Sequence, residues 1–467
     1  MSQTAKITSI TTPTAALVSK YDLAGPRYTS YPTAPHFSHL YTARDYAEEL
    51  RAKQENSIAP LSLYLHIPFC RNICYYCACN KIVTRDPAAS RQYLDRLNRE
   101  IEMQGDLAGK LRTVSQLHFG GGTPTFLNDA ELTEVMHHLG QHFKLTDSPD
   151  REYSIELDPR SISKNSLALL KGLGFNRLSF GVQDFDPDVQ AAINRKQSFS
   201  MLESLVDASR LYQFKSISFD LIYGLPKQNL QSLTTTLDQV LELSPDRIAF
   251  YNYAHLPERF SSQRAIDRHD LPDASTRLEM LELISDVLTT AGYIHIGMDH
   301  FVKPNDELAI AQQENKLQRN FQGYSTCLAP DLIGIGVSSI SSLSNSYAQN
   351  EKELDDYYQR IDNNELAICK GLRLTEDDHI RRHVISELIC NLNLCIPDIE
   401  KRFKLCFSEY FSQEFQCLKN FQKDGLIDID NDKILITPTG QTMLRVICMS
   451  FDAYLNRETL ARFSNAL

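Results

Sequence analysis

The chain has 467 residues, a formal net charge of −11 and 42% hydrophobic residues, so it is long enough for two or three folded units. A net negative charge of this size argues against a general affinity for nucleic acid or for anionic membrane surfaces. The sequence has no basic start followed by an apolar core, and no apolar run approaches about 20 residues. We therefore expect a cytoplasmic protein that binds neither nucleic acid nor membrane, and we expect a monomer.

The first 56 residues form a distinct N-terminal segment. A Ser/Thr-rich leader is followed by residues 21–35, which are dense in Tyr, Pro and Thr. Large rings close together are normally buried against another part of the molecule. The composition therefore predicts an N-terminal extension over residues 1–56 that lies over the mouth of the domain that follows.

Residues 57–364 alternate strand-like apolar runs with helical stretches. The predicted strands are residues 61–69, 114–119, 153–157, 177–182, 216–222 and 247–253, with 294–298 as a weaker candidate, and helices such as 90–103 and 130–142 lie between them. Repeated strand-then-helix order implies parallel strands joined by right-handed crossovers. Five or six such units in series favour an α/β fold with a complete or partial (β/α) TIM-type barrel over an open doubly wound sheet.

Three cysteines are close together just after the first predicted strand. Cys70, Cys74 and Cys77 have C-x3-C-x2-C spacing, and soft thiolates are natural ligands of iron–sulfur clusters. Three thiolates leave one iron of a four-iron cluster open to a small molecule, as in a catalytic metal site. A structural zinc site is less favoured because no second C-x2-C or H-x3-H pair follows. The later cysteines, from Cys327 onward, are scattered singly and are typical of small buried side chains.

Polar residues or glycines follow most of the predicted strands. They are Cys70, the glycines of 120–122, Glu156, Gln183, Asp220 and Asn252. A (β/α) barrel builds its active site at the carboxyl ends of its strands, so these residues should converge on one mouth. Glu156 and Asp220 lie within or beside apolar strands, where an unpaired carboxylate would be costly.

The first predicted strand and the glycine segment also carry candidate site residues. Tyr64 and His66 are two residues apart and project to the same face of their strand, although a single strand histidine is more often a satisfied core residue. Glycines 120–122 can bring the backbone close to a polar ligand. They do not form a phosphate loop, because no GK[ST] ending follows.

After about residue 365 the strand–helix alternation stops. The pattern predicts helices at 377–391, 396–404 and 408–422, then a hairpin with its turn at residues 431–432 and a last helix from Gln441. This order is typical of a winged helix. Because 408–422 mixes acidic and basic residues without a basic stripe, we interpret residues 365–467 as a mainly helical lid or docking domain.

Blocks along nearly the whole chain carry a family resemblance. They are residues 25–32, 64–70, 120–125, 179–184, 220–226, 252–257, 297–301 and 319–324. Together with the C-x3-C-x2-C motif, they resemble radical S-adenosylmethionine (SAM) enzymes, and among these the oxygen-independent coproporphyrinogen III oxidase family of haem biosynthesis. Cys79 extends the motif to C-x3-C-x2-C-x-C, as in the oxidases, whereas haem-delivery relatives typically have an aromatic residue there. The sequence departs from the usual oxidase pattern at Ala78, where glycine is common.

The resemblance implies a mechanism. Cys70, Cys74 and Cys77 would hold a 4Fe-4S cluster, SAM would bind its open iron, and a 5′-deoxyadenosyl radical would abstract hydrogen from a propionate of coproporphyrinogen III. Two propionates would become vinyl groups, giving protoporphyrinogen IX. The family further implies a second SAM molecule and a reducing electron donor of the flavodoxin or ferredoxin type.

The resemblance also implies which residues surround SAM. They are Tyr64, Tyr76, Gly121, Gly122, Thr123, Glu156, Gln183, Arg195, Asp220, Ala254 and Ile340, with Tyr64 and His66 as candidate catalytic residues. An arginine such as Arg195 can pair bidentately with a carboxylate, whereas Ala254 and Ile340, being apolar, could equally be core. Two other functions remain open, namely a haem chaperone of the same fold and a non-catalytic iron–sulfur protein.

Overall fold

The computed structural model describes residues 14–21, 23–326 and 329–455. Residues 1–13 of the predicted extension and Cys327 lie outside these ranges. None of the helices in the described part of the chain has both the length and the apolar character needed to cross a membrane.

The strands are β1 (Leu61–Ile67), β2 (Phe69–Cys70), β3 (Ile82–Val83), β4 (Thr113–Gly121), β5 (Lys144–Leu145), β6 (Glu152–Leu157), β7 (Arg177–Gln183), β8 (Ser216–Tyr223), β9 (Arg247–Asn252), β10 (Ile294–Gly297), β11 (His300–Val302), β12 (Gln318–Asn320), β13 (Gly323–Ser325), β14 (Asp331–Ile335), β15 (Ile340–Leu343), β16 (Ser346–Asn350), β17 (Ile368–Arg373), β18 (Asn393–Cys395), β19 (Ile427–Ile429) and β20 (Lys433–Ile436).

The α-helices are α1 (Ala15–Tyr21), α2 (Ala43–Asn56), α3 (Ala88–Ala108), α4 (Asp129–His142), α5 (Lys164–Gly172), α6 (Pro187–Ala192), α7 (Phe199–Leu211), α8 (Leu230–Leu243), α9 (Ala274–Thr290), α10 (Glu307–Gln313), α11 (Leu354–Asp362), α12 (Glu376–Asn391), α13 (Ile396–Phe403), α14 (Phe407–Tyr410), α15 (Glu414–Lys423), α16 (Pro438–Thr442) and α17 (Leu444–Met449).

One large sheet organises the molecule, with the order β10-β11-β9-β8-β7-β6-β4-β1-β14-β15-β16-β17. Its central strands β1, β4, β6, β7, β8 and β9 pair in parallel, each with the next. Helices separate them along the chain, so the predicted α/β fold with a partial (β/α) barrel is confirmed. All the carboxyl ends of these parallel strands therefore lie at one edge, as the barrel prediction requires.

Burial on both faces explains why the parallel strands read as nearly continuous apolar runs. In β1 only Tyr64 is partly exposed, and the other six residues are buried. Parallel sheets are covered by their crossover helices, which leaves little alternation in the strands themselves. The helices supply the periodic face instead, as in α3, which buries Leu94, Leu97 and Ile101 against the sheet core.

The weak strand candidate at 294–298 does not extend the parallel series. Its counterpart β10 pairs antiparallel with β11, which in turn pairs antiparallel with β9. A tight turn at Met298, where φ is +51°, reverses the chain, so that β11 takes the position beside β9. The sheet then continues on its other side through β14, which is parallel to β1, and the antiparallel strands β15 to β17. Strand β17 lies beyond the predicted domain boundary at residue 364.

The C-terminal segment contains a three-stranded antiparallel sheet, β18-β20-β19, among α12, α13 and α15. Two helix predictions need correction. The predicted helix at 408–422 is two helices, α14 and α15, interrupted at Phe411, whose fully buried ring lies 5.3 Å from that of Phe451. The last helical stretch begins at Pro438 rather than Gln441, because the side chain of Thr437 caps it and proline favours a first helical position.

The described part of the N-terminal extension packs against both the barrel and the C-terminal segment. The Tyr28 hydroxyl donates to Asp452 at 2.9 Å, and the Tyr31 hydroxyl accepts from the Ala453 N–H at 3.0 Å. Arg27 donates to the Asn252 carbonyl at the end of β9 at 3.3 Å. The extension therefore contacts the strand ends of the barrel and the end of the chain together.

Candidate active site

The cysteine loop follows β1 directly. Strand β2, which ends at Cys70, pairs with β3 and closes the loop between them. The loop is also attached to a neighbouring turn, because the Tyr75 N–H donates to the Ile193 carbonyl at 3.0 Å and the Asn194 side chain donates to the Ile73 carbonyl at 2.7 Å. The predicted ligands Cys70, Cys74 and Cys77 are thus presented by one short, anchored segment.

Two guanidinium groups lie beside the Cys74 sulfur. Arg195 Nη1 is 3.5 Å from Cys74 Sγ and Arg160 Nη2 is 3.7 Å from it. Asp158 links the two arginines, at 3.3 Å from Arg195 and 2.6 Å from Arg160. Burial would raise the pKa of Asp158, but the two arginines outweigh it and hold that pKa below its usual range. Two cations thus lie beside the sulfur of one predicted ligand.

The other two predicted ligands have different surroundings. Cys70 Sγ lies 3.5 Å from Thr123 Oγ1, and burial raises the pKa of Cys70 to about 11. A hydrogen bond with the Cys79 side chain lowers the pKa of Cys77 to about 6. A bound metal deprotonates a coordinating thiol outright, so neither value opposes ligation.

These residues fit a 4Fe-4S cluster. The described residues contain no trio of His, Cys, Asp or Glu side chains placed for a single metal ion, but a four-iron cube holds its thiolates farther apart than one ion does. Three thiols on one anchored loop, with Arg160 and Arg195 beside one of them, match the donor set of such a cluster.

A cavity of about 550 Å³, here called the mouth cavity, lies over the carboxyl ends of β1, β4 and β6. Five of the predicted site residues line it, and they are Tyr64, His66, Gly121, Glu156 and Ile340. Cys79, which is exposed, lines it too.

Tyr64 and His66 form one hydrogen-bonded pair in the mouth cavity. His66 Nε2 lies 3.0 Å from the Asn80 carbonyl, so it carries the proton and donates, which leaves Nδ1 to accept from the Tyr64 hydroxyl at 3.1 Å. Burial lowers the pKa of His66, so the imidazole is neutral. The hydrogen bonds therefore fix the tautomer of His66 and the orientation of both side chains.

Glu156 joins the glycine segment to β6. Its Oε2 accepts from the Gly121 N–H at 3.2 Å, and its Oε1 lies 3.2 Å from His118 Nε2. Gly121 has a φ of +120°, and a Cβ there would lie 2.8 Å from the His66 ring. Only glycine permits this approach, which explains why the segment needs glycine at that position.

The remaining predicted SAM residues are not among those that line the mouth cavity. Arg195 contacts Cys74, and its Nη2 donates to the Gly181 carbonyl at 2.5 Å. A Cβ at Gly181 would meet both Gln183 and Arg195. The Ser179 hydroxyl donates to Asp220 at 2.7 Å, and burial raises the pKa of Asp220 to about 6.

The other predicted residues complete this second group. The Gln263 amide donates to the carbonyls of Tyr76 and Ala254, at 3.0 and 3.1 Å, so these two residues are held together. The Gly122 N–H donates to the Ile67 carbonyl at 2.8 Å. Together with the Thr123 contact to Cys70, the predicted set thus falls into two adjacent groups, one around the loop and one around the mouth cavity.

Several residues at the site were not among the predicted ones. Asp158 and Arg160 surround Cys74, His118 stacks on Tyr64 with ring centroids 5.8 Å apart, and Phe321 and Gln322 line the mouth cavity. His118 lies on β4, two residues before Gly120, and strand alternation places both on the same face. The sequence could therefore have indicated His118. Phe321 and Gln322 belong to a block that carried the resemblance, but they lie at a hairpin tip between β12 and β13, where no strand pattern points to a site.

Comparisons with known proteins agree with this geometry. The profile of the radical SAM superfamily matches residues 64–240, and that of the HemN C-terminal domain matches residues 374–442. The chain is 49% identical over 453 residues to the oxygen-independent coproporphyrinogen III oxidase of Pseudomonas aeruginosa, with 97% of this chain and 98% of the relative covered. The Escherichia coli protein of the same name is 48% identical over 456 residues, with 97% and 98% covered.

A solved structure, described as coproporphyrinogen III oxidase (HemN) from Escherichia coli and as a radical SAM enzyme, superimposes with a TM-score of 0.91. The identity is 46%, and 96% of this chain and 100% of that chain are covered. The fold and the cysteine loop thus define a radical SAM enzyme with a 4Fe-4S cluster. Within that class, the chain belongs to the oxygen-independent coproporphyrinogen III oxidase family.

Proposed function

We propose that this chain converts two propionate side chains of coproporphyrinogen III to vinyl groups without oxygen, giving protoporphyrinogen IX. Each conversion removes one hydrogen atom from the β-carbon of a propionate, releases carbon dioxide and passes one electron to an acceptor. The observation that carries the proposal is the adjacency of the anchored cysteine loop and the mouth cavity, in a chain whose relatives at 48–49% identity have this activity in their names.

We assign the cluster to Cys70, Cys74 and Cys77, with Arg195 and Arg160 as the cations beside it. When bound, the cluster and SAM supply the one-electron chemistry that removes the hydrogen atom. Arg195, Asp220 and Gln183 are proposed to orient polar groups of SAM near the loop, with Tyr76 and Ala254 forming the wall held by Gln263. Gly122 and Thr123 would offer backbone and hydroxyl groups beside Cys70.

The mouth cavity is proposed to hold the second SAM expected from the family or the reacting edge of the substrate. Tyr64, Gly121, Glu156 and Ile340 line it. Tyr64 and His66 would hold one proton between them at a fixed position, because the Asn80 carbonyl determines the tautomer of His66. Two side chains held by hydrogen bonds in this way orient a bound group and keep their own proton.

We further propose that the protein is a cytoplasmic monomer and receives electrons from a small acidic carrier of the flavodoxin or ferredoxin type. Arg71 and Arg85 support this part of the proposal, because both are exposed and flank the cysteine loop. Complementary charges raise the rate of encounter with an acidic protein.

The proposed function is tested by anaerobic reconstitution with iron, sulfide and SAM, followed by reduction and addition of coproporphyrinogen III. We expect protoporphyrinogen IX and two equivalents of carbon dioxide. SAM cleavage without any decarboxylation would support the haem chaperone instead, and no SAM cleavage would support a non-catalytic iron–sulfur protein.

Asp220 should make SAM binding weaken in acid. Because burial raises its pKa to about 6, the carboxylate that accepts from SAM becomes protonated as the pH falls below that value. We expect the dissociation constant of SAM, measured by equilibrium dialysis from pH 5.5 to 8, to rise roughly tenfold for each pH unit below about 6. Asp220→Asn should bind SAM weakly at every pH and remove this dependence.

The same substitution should stabilise the protein. A folded pKa above the unfolded value means that the folded state binds more protons between the two, so the carboxylate lowers stability as pH rises through that interval. We therefore expect Asp220→Asn, without SAM, to raise the free energy of unfolding at pH 8 by about 1–3 kcal/mol. A destabilised variant would mean that the Asp220 carboxylate is structural rather than held for a ligand.

A further inference from the structure

A second cavity, also of about 550 Å³, lies beside the mouth cavity. We call it the arginine cavity. Its wall combines residues of the N-terminal extension, the β12–β13 hairpin, and helices α12 and α13. Phe321 and Leu332 line both cavities, so the two meet at the hairpin tip. A ligand bound across this boundary would reach from one cavity into the other.

The charge of the arginine cavity is opposite to that of the chain. Arg319, Arg382 and Arg402 line it, and none of the lining residues that the structure describes is Asp or Glu. The protein as a whole has a net charge of −11. Burial, and then Arg402 and Arg382, lower the pKa of His383 to about 4.

The Arg319 guanidinium has N–H groups that are available to a ligand. Its guanidinium stacks on the Tyr324 ring at 4.7 Å, and its Nε and Nη1 are buried without a hydrogen-bond partner in the described part of the chain. Buried charged donors without acceptors are costly, and both N–H groups can donate to the carboxylate oxygens of a ligand. Arg382 is oriented by the Ser344 carbonyl and His379, both 3.2 Å from its Nη2.

The rest of the wall favours an aromatic ligand over a small inorganic anion. Tyr31, Phe321, Tyr347 and Phe403 contribute rings to the same cavity, and the Phe321 and Tyr347 rings lie edge to face with centroids 5.9 Å apart. Large apolar surfaces beside three arginines suit a flat, apolar molecule that carries carboxylates. Phosphate or sulfate would use the cations but not the rings.

We propose that the arginine cavity binds the carboxylates of the tetrapyrrole that are not at the reacting position, with Arg319 and Arg382 as their counter-ions. This inference rests on the proposed function, which supplies a substrate with four carboxylates, of which two survive the reaction. The hairpin tip at Phe321 and Gln322 then lies between the retained carboxylates and the mouth cavity. The acidic protein thus holds a tetra-anion through local cations rather than through its overall charge.

The test compares two stable porphyrins that differ in carboxylate number. The reconstituted enzyme is titrated anaerobically with coproporphyrin III, which has four carboxylates, and with its tetraamide, which has the same ring and no carboxylate, and the porphyrin absorbance is followed. We expect wild type to prefer the tetracarboxylate. Arg319→Gln and Arg382→Gln should each weaken coproporphyrin III binding about 10- to 100-fold, which corresponds to the loss of one charge-assisted contact. The difference in affinity between the two porphyrins should therefore be smaller in these variants.

Arg44→Gln is the matched control, because it removes the same charge from an exposed residue of α2 that pairs with Glu48. It should leave both affinities unchanged. If Arg319→Gln does not fold by circular dichroism, Arg382→Gln and Arg402→Gln decide the matter, since they change other residues of the same wall. The inference would be overturned if the cavity variants lost affinity equally for the two porphyrins, or lost none.

Failure of the proposed function would look different. A wild-type enzyme that discriminates between the two porphyrins but does not decarboxylate coproporphyrinogen III would contradict the proposed reaction while supporting the cavity. Decarboxylation by wild type combined with unchanged porphyrin affinities in the cavity variants would contradict the cavity alone.

Discussion

Replacing Cys70, Cys74 or Cys77 individually by serine should abolish the cluster and reduce coproporphyrinogen decarboxylation below detection. Each cysteine supplies one thiolate from a short loop that is fixed to β3 and to the turn at Ile193, so each variant leaves the cluster one proposed ligand short. Serine is a poor ligand for iron–sulfur clusters because its hydroxyl is harder and less acidic than a thiol. Iron and sulfide content after anaerobic reconstitution, with the visible absorbance of the cluster, measure the result.

Two serine variants make the experiment specific. Cys79→Ser removes the hydrogen bond to Cys77 but no proposed ligand, so its iron content should remain close to that of wild type. Cys406→Ser changes an exposed cysteine of the C-terminal segment and should match wild type in every measurement. If Cys79→Ser loses iron as completely as Cys70→Ser, the assignment of three ligands is wrong.

The parallel core was predictable because its strands are buried on both faces. Each of the six apolar runs between residues 61 and 253 corresponds to one central strand, and the predicted and observed ends differ by at most two residues. An apolar run is therefore enough to predict the position of such a strand. The antiparallel edge β15 to β17 was not predicted, because strands such as β15 (Ile-Ser-Ser-Leu) mix polar and apolar residues and pair through backbone contacts.

The site was only partly accessible from the sequence. Residues that follow a parallel strand could be placed at the mouth by topology, and Glu156 and Gly121 do lie within hydrogen-bonding distance there. The second cavity depends on residues 319, 382 and 402, which are far apart in sequence and meet only because α12 packs against the β12–β13 hairpin. No local pattern encodes such a tertiary contact. The roles of the individual SAM residues remain predictions that variants must test.

The two groups of site residues differ in the sign of the charges that they contain. Near the cysteine loop, Arg195 and Arg160 face a sulfur and share the carboxylate of Asp158. In the mouth cavity, the carboxylate of Glu156 is held by a backbone N–H and by His118. Cations therefore lie beside the thiols of the cysteine loop, and a carboxylate lies in the mouth cavity.

Glu156→Ala should lower SAM cleavage and coproporphyrinogen decarboxylation by about 100-fold while leaving the iron content intact. The variant removes the acceptor of the Gly121 N–H and of His118 Nε2, and with it the negative charge of the mouth cavity. Loss of one charge-assisted hydrogen bond costs about 1.5–3 kcal/mol, which corresponds to roughly 10- to 100-fold in rate. Initial rates of 5′-deoxyadenosine release and of carbon dioxide release measure the two activities.

Glu156→Gln separates charge from shape at the same position. Its amide oxygen can still accept from the Gly121 N–H, so we expect an intermediate loss of about 10-fold, the part that depends on the charge. Glu203→Ala, at an exposed position of α7, is the control for general effects of removing a glutamate and should retain wild-type rates. Loss of iron in Glu156→Ala would show that the residue supports the cluster loop rather than SAM. Unchanged cleavage with full iron content would mean that the mouth cavity has no part in SAM chemistry, because its only carboxylate among the described lining residues is that of Glu156.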